Sequence, residues 1–520
     1  MDTLQDKEKT SAEGEKRASP EAVQLKPLRR LFSFPVMLAS LLVVLAVLTV
    51  RARFNDPDMW WHLKMGEVIW TSHSIPSTDV FSYTTGHQSS IPQEWLAQLS
   101  IYGAYKWSGL TGLVTWLCAF SSILLIAGYF LCAIYSGNSK VAFAGAMLIW
   151  LFATIGFSIR PQLIGYLFLT LELVLIHLGR KRNPRWFWGL PILFAVWINC
   201  HGSFFLGIVV VGIFLFTSFF SFRLGSLVAQ SWEPHCRQVL VYALCLTVVA
   251  LFLNPDGTKQ ILYPLNTILH QPIGLANSEE WMPTQLTDAR GVALLVVLVS
   301  SLLIGVMHRD ELYWDEVLLI ALGTWLGVSH QRTLFVFGIL TAPILTRQIS
   351  DSWDDYNAAK DRAWPNAVLI AISVFVVILA FPSRQGLMQQ VAKDNPVRAV
   401  EFIKANHLSG PMLNDYLYGG YLIWAAPEYP VFIDGRSDVY EWSGVLSQFG
   451  DWATLKSDPN ELLRKYEVNF CLLAKDAPMA RVLPLLTNWK MIYSDDIAVI
   501  FLRTAGDLNA GGRGTPPSNR

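Results

Sequence analysis

The segment Phe54-Asn-Asp-Pro-Asp-Met-Trp-Trp-His-Leu63 opens a polar loop that closes on Pro92-Gln-Glu-Trp-Leu96. Between those ends lie Asp56, Asp58, His62, Glu67, His73, Asp79, His87 and Glu94. Long apolar runs flank the loop on both sides. Carboxylates and imidazoles gathered where a membrane span meets water mark a candidate functional site. What the loop means therefore depends on whether its flanks cross a bilayer.

Composition says that they do. Of 520 residues 52% are hydrophobic and 15% are charged, against about 25% charged in a soluble domain, and the mean hydropathy is +0.37. Equal numbers of acidic and basic residues leave a formal charge of zero, so no global basic field invites nucleic acid. Six cysteines are scattered through apolar runs and short loops without a disulfide framework. Residues 1–31 are polar and read as a disordered cytoplasmic tail. The apolar run that follows has no convincing cleavage site and reads as a retained first span.

A spanning helix takes about 20 mostly apolar residues. Runs of that character fall at 32–50, 109–133, 141–158, 162–179, 186–200, 203–221, 238–253, 291–307, 315–329, 333–346 and 366–383, about eleven spans. Basic residues set the orientation. Lys26, Arg29, Arg30, Arg180, Lys181, Arg182, Arg185, Arg223, Arg237, Arg309 and Arg347 share one side if the N-terminus is cytoplasmic, and Arg51 and Arg53, which go against the pattern, are outnumbered by the N-terminal tail. The expected location is a bacterial inner membrane, with the C-terminal part outside. Cytoplasmic loops then read as basic anchors. The outer ends of the spans carry the polar interruptions Arg160, Gln162, Asn199, His201, Asn254, His330 and Arg332. Such groups are costly near hydrocarbon unless they pair or line a wet cavity. Their one-sided placement predicts a shared extracytoplasmic cavity.

Within the loop, a helix starting at Pro57 would put Asp58 and His62 on one face, and its apolar side predicts a helix lying on the membrane surface. Asp56 and Asp58 fit a general base and its positioning partner, a site for a divalent cation such as Mg²⁺ or Mn²⁺, or a helix cap. Arg160 and Arg332, with His201 and His330, suit a phosphate at membrane depth, because the planar guanidinium binds phosphate through two parallel hydrogen bonds. A phosphate leaving group and a carboxylate-activated hydroxyl together describe glycosyl transfer. His62, Glu94, Glu279 and Glu280 are candidate substrate contacts, while Asp79 and His87 shape the loop.

The run Asp56-Pro-Asp-Met-Trp-Trp-His-Leu-Lys-Met-Gly66, with Ile75-Pro-Ser-Thr-Asp-Val-Phe-Ser-Tyr-Thr84 and Gln93-Glu-Trp-Leu96, resembles bacterial membrane proteins of the GT-C glycosyltransferase superfamily, which also holds protein mannosyltransferases and aminoarabinose transferases. The architectural likeness covers roughly 32–380 and the local motifs mainly 54–100. The resemblance implies many spans, a large first outer loop with a catalytic acid near the first span, and a polyprenyl-phosphate-type sugar donor. By position it makes Asp56 the first choice for the catalytic carboxylate and Asp58 the second. It does not define donor sugar or acceptor, which could be a glycan, a lipid or a protein. Trp60-Trp61-His62 stands where oligosaccharyltransferases carry Trp-Trp-Asp, which argues against that activity.

From residue 384 the pattern becomes that of a soluble domain. Helices are expected at 396–406, 460–466 and 479–487, and strands at 431–434, 470–474 and 498–502. The patches Asn414–Tyr421 and Asp434–Tyr440 read either as sugar contacts, through Tyr421, Asp434 and Arg436, or as Asp-mediated turns. No Gly-x-Gly-x-x-Gly or Walker sequence is present, which favours a lipid-linked donor over a nucleotide sugar. The expected fold is thus a polytopic α-helical membrane protein of about 11 spans, GT-C-like, with a small extracytoplasmic α/β C-terminal domain. Its parts are a membrane domain over 32–383 with outer loops 51–108 and 254–290, the α/β domain over 384–505, and a disordered tail over 506–520. A transporter or flippase of a lipid or sugar, or a noncatalytic envelope assembly protein, is the alternative. A transporter would want helices broken at mid-depth, and the apolar runs are uninterrupted there.

Overall fold

A computed structural model describes residues 30–51, 56–85, 88, 93–270, 279–307 and 311–504. The expectations placed on residues 1–29, His87, Arg309 and 505–520 lie outside these ranges, and for Glu279 only the backbone is described. Each apolar run carries a helix: α1 (Phe34–Val50), then, after α2 (Met59–Ser72), α3 (Trp95–Ser136), α4 (Ser139–Ala153), α5 (Gln162–Lys181), α6 (Gly189–Trp197), α7 (Phe204–Thr217), α8 (Pro234–Ala250), α9 (Thr258–His270, in the second long loop), α10 (Ala289–Met307), α11 (Trp314–Ser329), α12 (Leu334–Gln348) and α13 (Ala363–Ala380). Among the described residues α3, α5, α13 and Ser139–Gly156 are long and apolar enough to cross a membrane. Several of the others are shorter; α6 has nine residues and follows a 3-10 turn at Pro184–Trp188. The membrane character of the chain follows from these helices.

α3 is two helices joined at a break. Ser108 and Gly109 leave the helical region, with Gly109 at φ 61°, a conformation that costs glycine nothing. The break divides a segment over 95–107 at the cavity end of the bundle from the long apolar helix behind it. α5 and α12 form the centre: nearly every residue of α12 from Leu334 to Ile344 is buried, as is expected of a helix apolar all round. α13 packs on α1 and leaves Ile372, Phe375, Ile378 and Leu379 exposed, a face suited to lipid.

Two features differ from expectation at this level. Helix α2 starts at Met59, and its apolar side is covered by protein rather than left free for a membrane surface. Its apolar residues Met59, Trp60, Leu63, Met65 and Ile69 are buried, between α3 on one side and the C-terminal part on the other. The same stripe that would suit an interface is satisfied by protein. The basic residues read as simple anchors also have partners. At the end of the bundle away from the cavity, Arg180 reaches Asp315 at 2.6 Å and Arg347 holds Glu316 through two bonds of 2.6 and 2.7 Å. A small sheet of β1 (Phe222–Leu224), β2 (Leu227–Ala229) and β3 (Leu312–Tyr313) closes that end.

The C-terminal part is a mixed four-stranded sheet with helices around it. β4 (Met412–Asn414) pairs parallel with β5 (Phe470–Ala474), while β6 (Trp489–Ser494) and β7 (Ala498–Arg503) complete the order β4-β5-β7-β6 antiparallel. Helices lie at Val397–Ala405 and Pro459–Lys465, and a shorter one at Pro478–Val482. The expected strand at 431–434 does not join this sheet. Val431 donates to the Phe81 carbonyl and accepts from the Tyr83 amide, so its backbone groups are spent on the first loop. α14 (Gly419–Ala425) docks the domain onto the bundle: Tyr421 meets Trp60 edge-on at 5.2 Å, and Trp424 meets Tyr105 at 4.9 Å.

Candidate functional site

Where α2, the start of α3, the turn before α5, helix α9 and the C-terminal domain converge, they enclose a cavity of about 180 Å³. Its walls carry Asp58, His62 and Met65 from α2, Glu94 and Gln98 from α3, and Arg160 from the turn. Tyr263, Arg332 and the segment Gly435–Val439 complete it.

Arg160 is the hub. Its Nε donates to Asp56 Oδ2 at 2.5 Å, one terminal nitrogen lies 3.1 Å from Asp58 Oδ2, and the other lies 3.2 Å from Glu280 Oε1. Glu280 Oε2 in turn lies 3.4 Å from Arg332. Pro57 lets Asp56 and Asp58 face one guanidinium, since the Asp58 amide also donates to Asp56 Oδ1. Burial opposes the charge on Arg160, but Asp58, Asp56 and Glu280 outweigh it and hold the group protonated well above its ordinary range. Burial pushes Asp58 up to about 6, with Arg160 opposing the rise and Asp56 and Glu280 adding to it.

Glu94 sits between two histidines, 3.8 Å from His62 Nδ1 and 3.7 Å from His201 Nε2. Ser203 fixes the His201 tautomer: its backbone amide donates to Nδ1 at 3.1 Å, so the proton of the neutral ring is on Nε2 and faces the carboxyl. Burial pushes Glu94 up to about 8, Arg332 opposing it. Burial pushes His201 down to about 3, with Arg332 adding to the fall. His62 is held well below its usual range by burial and by Arg160. The site therefore joins a carboxylate–guanidinium half to a half in which burial disfavours charge.

Asp56 stands behind Arg160 and does not line the cavity, which makes Asp58 the carboxylate that faces it. His201 backs Glu94. His330 lies against the Trp281 ring at 5.2 Å and is not part of the wall. Tyr421 is packed on Trp60, not turned to the cavity. Asp434 is buried and unavailable to a ligand: it holds Arg436 Nε at 2.8 Å and accepts from Tyr440 at 2.5 Å. Arg436 also reaches Asp79 at 2.6 Å, so the loop and the C-terminal domain are tied through one buried guanidinium. Both carboxylates of the Asp56–Asp58 pair are turned onto Arg160, and among the described residues no group of three or more His, Cys, Asp or Glu is arranged to hold a metal ion. Asn199 joins neither half. It accepts from Trp95 at 2.7 Å and donates to the Leu253 carbonyl at 2.8 Å, pinning three helix ends together.

Gln162, one of the polar interruptions at the span ends, lines the wall, whereas Gln93, Gln98, Tyr263 and Asp438 were not singled out from the sequence. Gln98 is one turn beyond Glu94 and could have been found by helical spacing. Tyr263 carries no local signal, because only the path of α9 across the cavity brings it in.

The bundle with this cavity beneath a C-terminal α/β domain is a fold shared with solved structures. The oligosaccharyltransferase of Archaeoglobus fulgidus, tethered to an acceptor peptide, superposes with a TM-score of 0.52 at 12% identity, covering 86% of this chain and 70% of that one. ArnT from Cupriavidus metallidurans bound to undecaprenyl phosphate gives 0.52 at 11% identity, covering 90% and 97%. Its apo form gives 0.53 at 12%, covering 89% and 96%. No family model and no curated protein matches the sequence.

Proposed function

We propose that the chain is a membrane glycosyltransferase that moves a sugar from a polyprenyl-phosphate-type donor to an extracytoplasmic acceptor. The observation that carries this reading is that Asp58, Arg160 and Arg332 line one cavity, with Glu280 bridging the two arginines. Two guanidiniums bridged by a single carboxylate are spaced for an anion, and the planar fork of each suits a phosphate. Neighbours of the same fold were solved with undecaprenyl phosphate and with dolichol phosphate, which supports a lipid phosphate here.

In the reaction the acceptor hydroxyl oxygen bonds to the anomeric carbon, the bond from that carbon to the phosphate oxygen breaks, and the lipid phosphate leaves with the electron pair. Arg160 and Arg332 stabilise the charge that grows on the phosphate. The hydroxyl proton passes to Asp58, whose raised pKa suits a general base near neutral pH. Asp56 positions Arg160. In this reading the eleven apolar helices span the bacterial inner membrane, the N-terminus is cytoplasmic, and both the cavity and the 384–505 domain are extracytoplasmic. Purified protein in lipid nanodiscs, given a polyprenyl-phosphate sugar and an acceptor extract, should transfer the sugar, and Asp58→Asn should lower the rate by about 10²- to 10⁴-fold. Unchanged transfer in a folded Asp58→Asn variant would remove Asp58 from the chemistry.

A further inference from the structure

The cavity does not end at the arginines. Beyond them its wall is made of Gln93, Glu94, Gln98, Tyr263 and Asp438, and this part has a chemical bias that the phosphate half lacks. Gln98 spends its amide nitrogen on His62 at 3.2 Å, and Gln162 spends its own on the Tyr166 hydroxyl at 2.8 Å. The carbonyl oxygens of Gln93, Gln98 and Gln162 are buried and have no hydrogen-bond partner among the described residues. Buried acceptors left unpaired are costly; those of Gln93 and Gln98 belong to residues that line this end, and a ligand that brings donors would satisfy them. Asp438 adds a carboxylate, fixed by the Tyr263 hydroxyl, which donates to it.

Positive charge at this end is already used. Arg436 reaches the wall but is divided between Asp79 and Asp434, each at 2.6 Å. His62 and His201 are neutral in their buried positions. Arg160 and Arg332 are committed to the phosphate in the proposed reaction. A hydroxyl group entering here gains donors' bonds to amide oxygens and carboxylates. A carboxylate entering here has nothing to donate and meets Asp438. Like charges brought together in this way select against the wrong ligand as effectively as good contacts select for the right one. The whole cavity, phosphate half included, measures about 180 Å³, small for a ligand site, which favours one sugar ring over a chain of them.

We propose that this end of the cavity takes a single sugar ring bearing hydroxyl donors and no anionic group, and that Asp438, supplied by the C-terminal domain, is the residue that sets this choice. The inference rests on the lipid-phosphate glycosyltransferase reading and specifies its sugar. Asp438 acts as a specificity determinant through its charge; Tyr263 positions it.

The test uses the full chain in nanodiscs and three probes: undecaprenyl phosphate, undecaprenyl-phosphate glucose and undecaprenyl-phosphate glucuronic acid. Binding is measured by competition against a labelled lipid phosphate. The wild-type protein should bind the glucosyl lipid at least about tenfold more tightly than the glucuronosyl lipid. In Asp438→Asn, which keeps an acceptor for Tyr263, that ratio should fall severalfold through tighter binding of the acid. Equal binding of the two glycolipids by the wild-type protein overturns the proposal, and so does an unchanged ratio in Asp438→Asn. If undecaprenyl phosphate binds but neither glycolipid does, the sugar assignment fails while the phosphate site stands. If undecaprenyl phosphate itself does not bind, the glycosyltransferase reading fails and this inference with it.

Discussion

Glu94 is a cavity-wall residue whose ionisation the fold opposes. Buried between His62 and His201, it is pushed from an ordinary 4.5 up to about 8. The sign of the effect on stability follows from linkage. Because the folded-state value is raised, the contribution of the neutral carboxyl is fully present below pH 4.5 and is lost as pH rises through about 8. Glu94→Gln keeps the neutral form at every pH. Its melting temperature should therefore match that of the wild-type protein near pH 5 and exceed it by several degrees at pH 9, as read by intrinsic fluorescence in detergent. A gap that does not widen between those pH values would mean that Glu94 is ionised without cost. The sequence made Glu94 visible as an acid in an outer loop. It could not reveal that two histidines from separate elements would flank it.

At the scale of elements, the site is built by close approaches that only small residues permit. A Cβ placed on Gly435 would lie 1.8 Å from Asp58 Oδ1, and one on Gly420 would lie 2.3 Å from the Pro57 carbonyl oxygen. The C-terminal domain therefore sets the position of Asp58 from above, as Arg160 does from the side. Gly435→Ala should move the Asp58 side chain without unfolding the domain, since that side-chain end can yield. A displacement of about 1 Å at a reacting group costs about a hundredfold in rate. Transfer should fall by that order while the melting curve stays near that of the wild-type protein. Retained activity would show that Asp58 does not need this backbone seat.

The same elements show what could be read in advance. Helix positions followed from 20-residue apolar runs, and the Asp-Pro-Asp turn with its helix followed from residues 56–70, because both signals are local. The surroundings of α2 did not follow. A stripe of Trp, Met and Ile suits lipid and protein equally, and here the partner is α14, more than 350 residues away in sequence. The segment 431–434 failed for the same kind of reason: its alternation is that of a strand, but the loop around Phe81 takes its hydrogen bonds. Asp434 and Arg436 were singled out as a polar patch, yet their role is a buried tie to Asp79.

Across the whole molecule, the two ends of the bundle use charge differently. At the end away from the cavity, Arg180–Asp315 and Arg347–Glu316 are one-to-one pairs. At the cavity end, Arg160 has three carboxylates and shares Glu280 with Arg332. An arginine pair bridged by a carboxylate of intermediate exposure can exchange that carboxylate for a phosphate, and the account rests on that exchange. The direct test is a cryo-EM structure of the full chain with undecaprenyl phosphate added. The account predicts phosphate density in the cavity within hydrogen-bond distance of both the Arg160 and Arg332 guanidiniums, with Glu280 withdrawn from between them. Lipid phosphate bound elsewhere, with the Arg160–Glu280–Arg332 bridge intact, would contradict it.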